Sequence, residues 1–129
     1  MKILDVGQCG FDGPRMARLW HDALGAQVDC ADSGDDAVEM LQSNSYDIVL
    51  VNRVLAGDES SGLDVIARLL ELGRRTPVML VSDLPHAQDA AVKLGAVRGF
   101  GKAHLGERST LELVSRVASD RGNKSPKEG

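Results

Sequence analysis

The sequence predicts an α/β fold in which five parallel strands form one sheet with helices wound over both faces. Two observations carry that expectation. Short apolar runs alternate with amphipathic helical patterns five times along the chain, and the central run, Asp47–Asn52, is apolar almost throughout. Such alternation calls for right-handed βαβ units, and a run apolar on both faces suits a strand covered from both sides.

Each element has its own signal. Lys2–Val6 reads as the first strand. Pro14 suits the start of the first helix, where its missing N–H costs nothing, and Met16, Leu19, Trp20, Ala23 and Leu24 then recur at helical spacing up to Gly25. Ala26–Ala31 is a weak second strand. Ser33 caps a second helix that turns Ala37, Val38, Met40 and Leu41 inward and stops at Ser43-Asn44-Ser45. After the third strand, Asp47–Asn52, a polar loop over Ala56–Ser61 leads to a third helix, Gly62–Leu72. Pro77–Ser82 is the fourth strand, Pro85–Leu94 the fourth helix, and Val97–Phe100 a short fifth strand. In the last helix Ser109 and Glu112 have the spacing of a capping box, and Leu111, Val114, Val117 and Ala118 face inward. This places one domain over residues 1–121, with 122–129 a polar tail or a truncated linker.

Composition narrows the function classes. Hydrophobic residues at 43% and charged residues at 26% are ordinary for a globular domain, and the 3% of aromatics leaves the core to Leu, Val, Ile and Ala. A net charge of −4 argues against nucleic acid as the main partner, because phosphate binding wants clustered Lys and Arg. No apolar run approaches the roughly 20 residues that span a bilayer, and Asp5 breaks the N-terminal run too early for a signal peptide. The expectation is a cytoplasmic protein with no membrane partner, whose two cysteines, Cys9 and Cys30, are thiols.

Right-handed crossovers leave few topologies, and the flavodoxin-like order 2-1-3-4-5 is the expected one. It sets a functional crevice beyond the carboxyl ends of the first and third strands, at Gly7–Cys9, Asn52-Arg53, Ser82-Asp83 and Gly101-Lys102.

At those edges the sequence resembles the receiver domains of response regulators, from Lys2 to about Ala118. Lys2-Ile3-Leu4-Asp5-Val6-Gly7-Gln8 stands where that family reads K-I-L-V-V-D-D. Tyr46 to Gly57 follows its Y-D-L-V-L-L-D-x-x-M-P-G pattern, and Pro77–Ser82 its P-V-I-x-L-T/S. Gly95-Ala96-Val97-Arg98-Gly99-Phe100-Gly101-Lys102 corresponds to G-A-x-x-Y/F-x-x-K, with Ala103 in place of the usual Pro. Four motifs in order are a strong signal where one alone is weak.

The resemblance implies chemistry that the residues do not supply. In the family an Asp ending the third strand attacks a phosphoryl group, and an acidic pair after the first strand helps to hold Mg²⁺. The matching positions here are Asn52, Gly7 and Gln8, none of them charged. Mg²⁺ is normally held through carboxylates, and an amide is a poor nucleophile because its nitrogen lone pair is delocalised. The expectation is therefore a degenerate pocket of Gly7, Gln8, Asn52, Ser82 and Lys102 with no catalytic residue, no metal and no cofactor. By resemblance Ser82 and Lys102 occupy the hydroxyl and ammonium positions that contact the phosphoryl group. Phe100 occupies the aromatic position whose rotamer tracks activation, although core packing is the preferred account of it. Lys102 then bonds the Asn52 oxygen or Ser82, finds Asp5 or Asp83, or turns to solvent.

Asp5 is anomalous, since an isolated carboxylate in mid-strand is expensive to bury. Gly7-Gln8-Cys9-Gly10-Phe11-Asp12-Gly13 has three glycines but matches no phosphate-binding fingerprint, so a loop that needs turns explains it better. His21, His86 and His104 lack metal-ligand spacing. The reading is a pseudo-receiver, not an enzyme, that acts by protein contact independently of phosphorylation. The resemblance points to the face of the fourth helix, fifth strand and fifth helix, about Pro85–Lys93, Arg98–Phe100 and Ser109–Ser119. Two rivals stay open: a small-ligand or nucleotide sensor using the Gly7–Gly13 loop and Lys102, and an unconventional phosphoacceptor.

Overall fold

A computed structural model describes residues 1–8 and 10–123. The expectation of a thiol at Cys9 and the part of the expected tail from residue 124 onward lie outside the described residues, whereas Gly122 and Asn123, expected to open that tail, still belong to the last helix. The element order is β1 (Lys2–Val6), α1 (Asp12–Leu24), β2 (Gln27–Ala31), α2 (Gly34–Ser43), β3 (Ile48–Asn52), α3 (Gly62–Glu71), β4 (Val78–Val81), α4 (Pro85–Leu94), β5 (Val97–Phe100) and α5 (Arg108–Asn123). A single 3₁₀ turn, Lys102–His104, links β5 to α5. All strand pairs are parallel, in the order β2-β1-β3-β4-β5. This is the flavodoxin-like sheet that the alternating pattern predicts.

Because successive side chains on a strand point to opposite faces, the sheet divides the core in two. Leu4, Val6, Val49, Val51 and Leu80 pack against Leu41 of α2, Ile66 and Leu69 of α3, and Ala91 of α4. On the other face Ile3, Leu50, Met79 and Val81 meet Met16 and Trp20 of α1 and Val114 and Ala118 of α5. No helix among the described residues is long and apolar enough to cross a membrane.

Two local expectations need correcting. α1 begins at Asp12, so Pro14 lies inside its first turn, where a backbone N–H still has no helical acceptor. α5 begins at Arg108, and the carbonyl accepting from the Leu111 N–H is that of Glu107, so Ser109 sits inside the first turn and is not the cap. The polar loop before α3 stays largely exposed but closes on itself. Val54 and Ser61 form an antiparallel bridge, the Leu55 N–H donates to the Ser60 carbonyl at 2.9 Å, and Glu59 turns the corner at φ 61°.

The β4–β5 pairing carries a bulge. Met79 pairs with Val97 but Val81 pairs with Phe100, which gives β5 one residue more than β4 over this stretch. Gly99 lies within it, where a Cβ would collide with the Leu80 carbonyl oxygen. Gln88 of α4 fills the irregularity. Its Nε2 donates to the carbonyls of Leu80 at 2.9 Å and Ser82 at 3.0 Å, and its Oε1 accepts from the Gly99 N–H at 2.9 Å. A buried amide with both ends satisfied stabilises a break that would otherwise leave backbone groups unpaired.

Candidate functional site

The carboxyl ends of β1, β3 and β4 and the start of the 3₁₀ turn bring the expected residues to one edge of the sheet. Asn52, Arg53, Val54, Val81, Ser82, Asp83, Leu84 and Lys102 line an open cleft there of about 330 Å³.

Asn52 ends β3 and folds its side chain back over that edge. Its Nδ2 donates to the Val54 carbonyl at 2.8 Å and to the Gly7 carbonyl at 3.3 Å. The Gly7 oxygen also accepts from the Ala56 N–H at 2.9 Å. The backbone oxygens that point into this corner are thus already covered by N–H donors, one of them the side chain at the would-be nucleophile position.

Gly7 closes the corner from the other side. It has φ 81°, in the region that favours glycine, and a Cβ there would run into the Leu55 side chain and approach its backbone at 3.1 Å. Leu55 is fully buried. The space that a side chain at position 7 needs is therefore filled by the β3–α3 turn.

Ser82 serves the backbone. Its Oγ accepts from the Leu84 N–H at 3.1 Å, just ahead of α4. Asp83 lies against Gly101, where any side chain would strike it, and its Oδ2 accepts from the Ala103 N–H at 3.2 Å. Phe100 is buried and meets Trp20 edge to face, with ring centroids 5.8 Å apart. Here it is a core residue.

Lys102 takes a partner that none of the sequence expectations named. Its Nζ pairs with Asp12 Oδ2 at 2.8 Å, and it bonds none of Asn52, Ser82, Asp5 and Asp83. The choice has a physical reason. Both side chains of the Asp12–Lys102 pair keep some contact with water, and Asp12 in the first turn of α1 also complements the positive end of that helix. A pair with Asp5 would have required both charges to be buried. Asp12 also meets Arg15 at 3.4 Å. An acid at the start of α1 disfavours an anion there, which weighs against the glycine-rich loop as a phosphate cradle.

Asp5 is 1% exposed, and neither of its carboxyl oxygens has a hydrogen-bond partner among the described residues. Burial pushes its pKa from 3.8 to about 7, against smaller opposing effects of the Gln8 amide and the Lys102 charge. Gln8 lies near enough to favour the carboxylate, yet its two amide atoms complete no hydrogen bond of sound geometry among the described residues. His104 binds Glu107 at 3.0 Å on the surface, and no cluster of three or more His, Cys, Asp or Glu forms among the described residues.

These residues do not fit Mg²⁺. The three positions that would have to supply the charge are neutral, two carbonyls are already covered by Asn52, Asp12 is paired with Lys102, and Asp5 is buried under the sheet edge, so the described residues offer no pair of carboxylates converging on the cleft to displace the water that the ion holds tightly. Sequence reading missed Asp12 and Gln88. The one signal for Gln88 was a polar residue between Ala87 and Ala91, in the stripe where α4 meets the sheet.

Comparison with known proteins agrees with the fold. The response regulator receiver domain model matches residues 12–107, opening beyond Gly7 and Gln8. The transcriptional regulatory protein DltR of Streptococcus agalactiae is 38% identical over 58 residues, which are 45% of this chain and 25% of DltR. The chain thus spans about a quarter of the length of the curated relatives it matches. A CheY-like receiver domain protein of Methanospirillum hungatei superposes with a TM-score of 0.82 at 13% identity, covering 96% of this chain and 98% of that one. A response regulator of Burkholderia pseudomallei, solved with a phosphorylated aspartic acid, a calcium ion and citrate, superposes with a TM-score of 0.73 at 19% identity, covering 99% and 72%.

Proposed function

We propose that this chain, which belongs to the response regulator receiver domain family, signals through protein contact without phosphoryl transfer. The observation that carries the reading is the Asn52 side chain, whose amide nitrogen is turned onto the Gly7 and Val54 carbonyls. An Asp at this position would present oxygen to an incoming phosphoryl group and metal. Asn52 presents hydrogen-bond donors to the protein's own backbone and has no charge to offer. Gly7 and Gln8 supply no countercharge either.

The partner in this reading is a protein, met on α4, β5 and α5 in the cytoplasm, with residues 1–121 as the receiver unit. Val92 and Leu94 are exposed on α4, Arg98 of β5 is ion-paired to Asp89 of α4, and an open groove of about 620 Å³ runs along β5 and α5 past His104, Glu107 and Arg116. Apolar side chains beside fixed charges suit a protein surface better than a nucleic acid.

Incubation with acetyl phosphate and Mg²⁺, followed by intact-mass measurement, tests the proposal. The expected spectrum shows only the unmodified chain. An adduct that hydroxylamine removes would mark an acyl phosphate and overturn the reading, whereas one that resists hydroxylamine and maps to Ser82 would establish an unconventional phosphoacceptor.

A further inference from the structure

We propose that the Asp5 carboxyl, with the Gln8 amide beside it, is a proton-operated switch that decides where Lys102 is anchored. Neutral Asp5 leaves Lys102 on Asp12, and ionised Asp5 draws it inward. This goes beyond the loss of phosphoryl transfer and does not depend on it.

The surroundings of Asp5 are what make it a switch. It shares a face with Ile3, and its register partners are Cys30 on β2 and Leu50 on β3. Leu50, Met16 and Trp20 of α1, and Val114 and Ala118 of α5 make that face apolar. The titratable and charged groups near it are few. Cys30 is one, and its thiol is pushed up by burial and further by the charges of Asp5, Asp32 and Asp29. Lys102 is the cation that Asp5 feels, and Asp12 is the acid that holds it. A carboxylate so enclosed either takes a proton or takes a cation.

Gln8 makes the two states chemically distinct. A protonated carboxyl and a carboxamide are complementary in both directions: the acid O–H donates to Oε1 while Nε2 donates to the acid carbonyl. Loss of the proton to solvent leaves a carboxylate that only accepts, so Oε1 has no donor and the charge needs Lys102. Lys102 opens the 3₁₀ turn two residues after Phe100, and that turn carries His104 at the edge of the β5–α5 groove. The proton state of a buried residue thereby reaches the surface assigned to the partner.

Carbon-detected NMR of the whole chain, titrated through neutrality without Mg²⁺ or phosphodonor, tests the switch. The Asp5 Cγ signal should inflect near pH 7, and the amide signals of Asp12 and Ala103 should move with the same midpoint. Asp5→Asn should abolish the inflection and the shared movement. Lys102→Met should raise the proton affinity of Asp5 by roughly threefold or more, since it removes the cation that favours ionisation. Titration of Asp5 below about pH 5, as for an ordinary carboxyl, would overturn the proposal. So would a neutral midpoint with Ala103 unmoved, or a midpoint that millimolar Mg²⁺ lowers, which would reassign the pocket to a metal. None of these failures bears on the acetyl phosphate result.

Discussion

Asn52 turns its Nδ2 onto the Val54 carbonyl, 2.8 Å away, so the end of β3 presents a donor engaged with its own turn. A carboxylate in its place would set an oxygen against two carbonyl oxygens. Asn52→Asp alone is therefore expected to lose about 1–2 kcal/mol of stability in urea melts and to gain no hydroxylamine-labile phosphoryl adduct. Efficient phosphorylation of this single variant would show that other groups hold the metal.

Position 7 resists the same kind of restoration. Gly7→Ala must accept a left-handed backbone and displace Leu55, at an expected cost of about 2–4 kcal/mol. Removing the obstacle in Gly7→Ala/Leu55→Ala should recover part of that loss, so the double variant should be more stable than the sum of the singles predicts. Strict additivity in denaturant melts would place the strain elsewhere.

The linkage of Asp5 to stability has a definite sign. Its folded pKa lies above its unfolded value, so the native state binds the extra proton and stability falls as pH rises from about 4 to 7. Asp5→Asn should remove that fall. The variant should gain on wild type by on the order of 3–4 kcal/mol in alkaline solution and lose this advantage below pH 4, read from melts across the range. A constant difference at all pH values would mean that Asp5 titrates normally.

The Asp12–Lys102 pair keeps part of each side chain in water, so at about pH 5, where Asp5 holds its proton, Lys102→Met should cost only about 0.2–1 kcal/mol. A double-mutant cycle with Asp12→Asn measures the coupling directly. A loss of several kcal/mol at that pH would place Lys102 on the buried Asp5 even while Asp5 is protonated.

Gln88→Leu keeps the bulk but leaves the Leu80 and Ser82 carbonyls and the Gly99 N–H without their amide. The expected loss is about 2–3 kcal/mol, with faster amide exchange at Gly99. Unchanged exchange there would show that the bulge does not need its amide.

The strands and helices were legible because each apolar run has its own period, and β1, β3 and β4 match their expected ranges within one residue at either end. The neutral positions Gly7, Gln8 and Asn52 were legible too, since missing charge can be read directly. What they do in the fold could not be read. The direction in which the Asn52 amide faces depends on the Val54 carbonyl, and the space beside Gly7 depends on how the β3–α3 turn seats Leu55. Asp12 was hidden for a different reason: it and Lys102 lie 90 positions apart, and only the sheet order brings their loops together. Gln88 looked like one more polar residue of a short helix until the extra residue of β5 gave its amide backbone partners at both ends.

The chain's single tryptophan, Trp20, lies fully buried on the Asp5 side of the sheet with its ring against Phe100 and its indole N–H without an acceptor among the described residues. An indole kept from water and from hydrogen bonds emits at the blue end of its range. Its emission also responds to any charge that appears on the same face. The domain thus carries its own optical gauge: displacement of Phe100 by a docked partner, or a negative charge arising on Asp5, would register as a change of colour or brightness with no label attached.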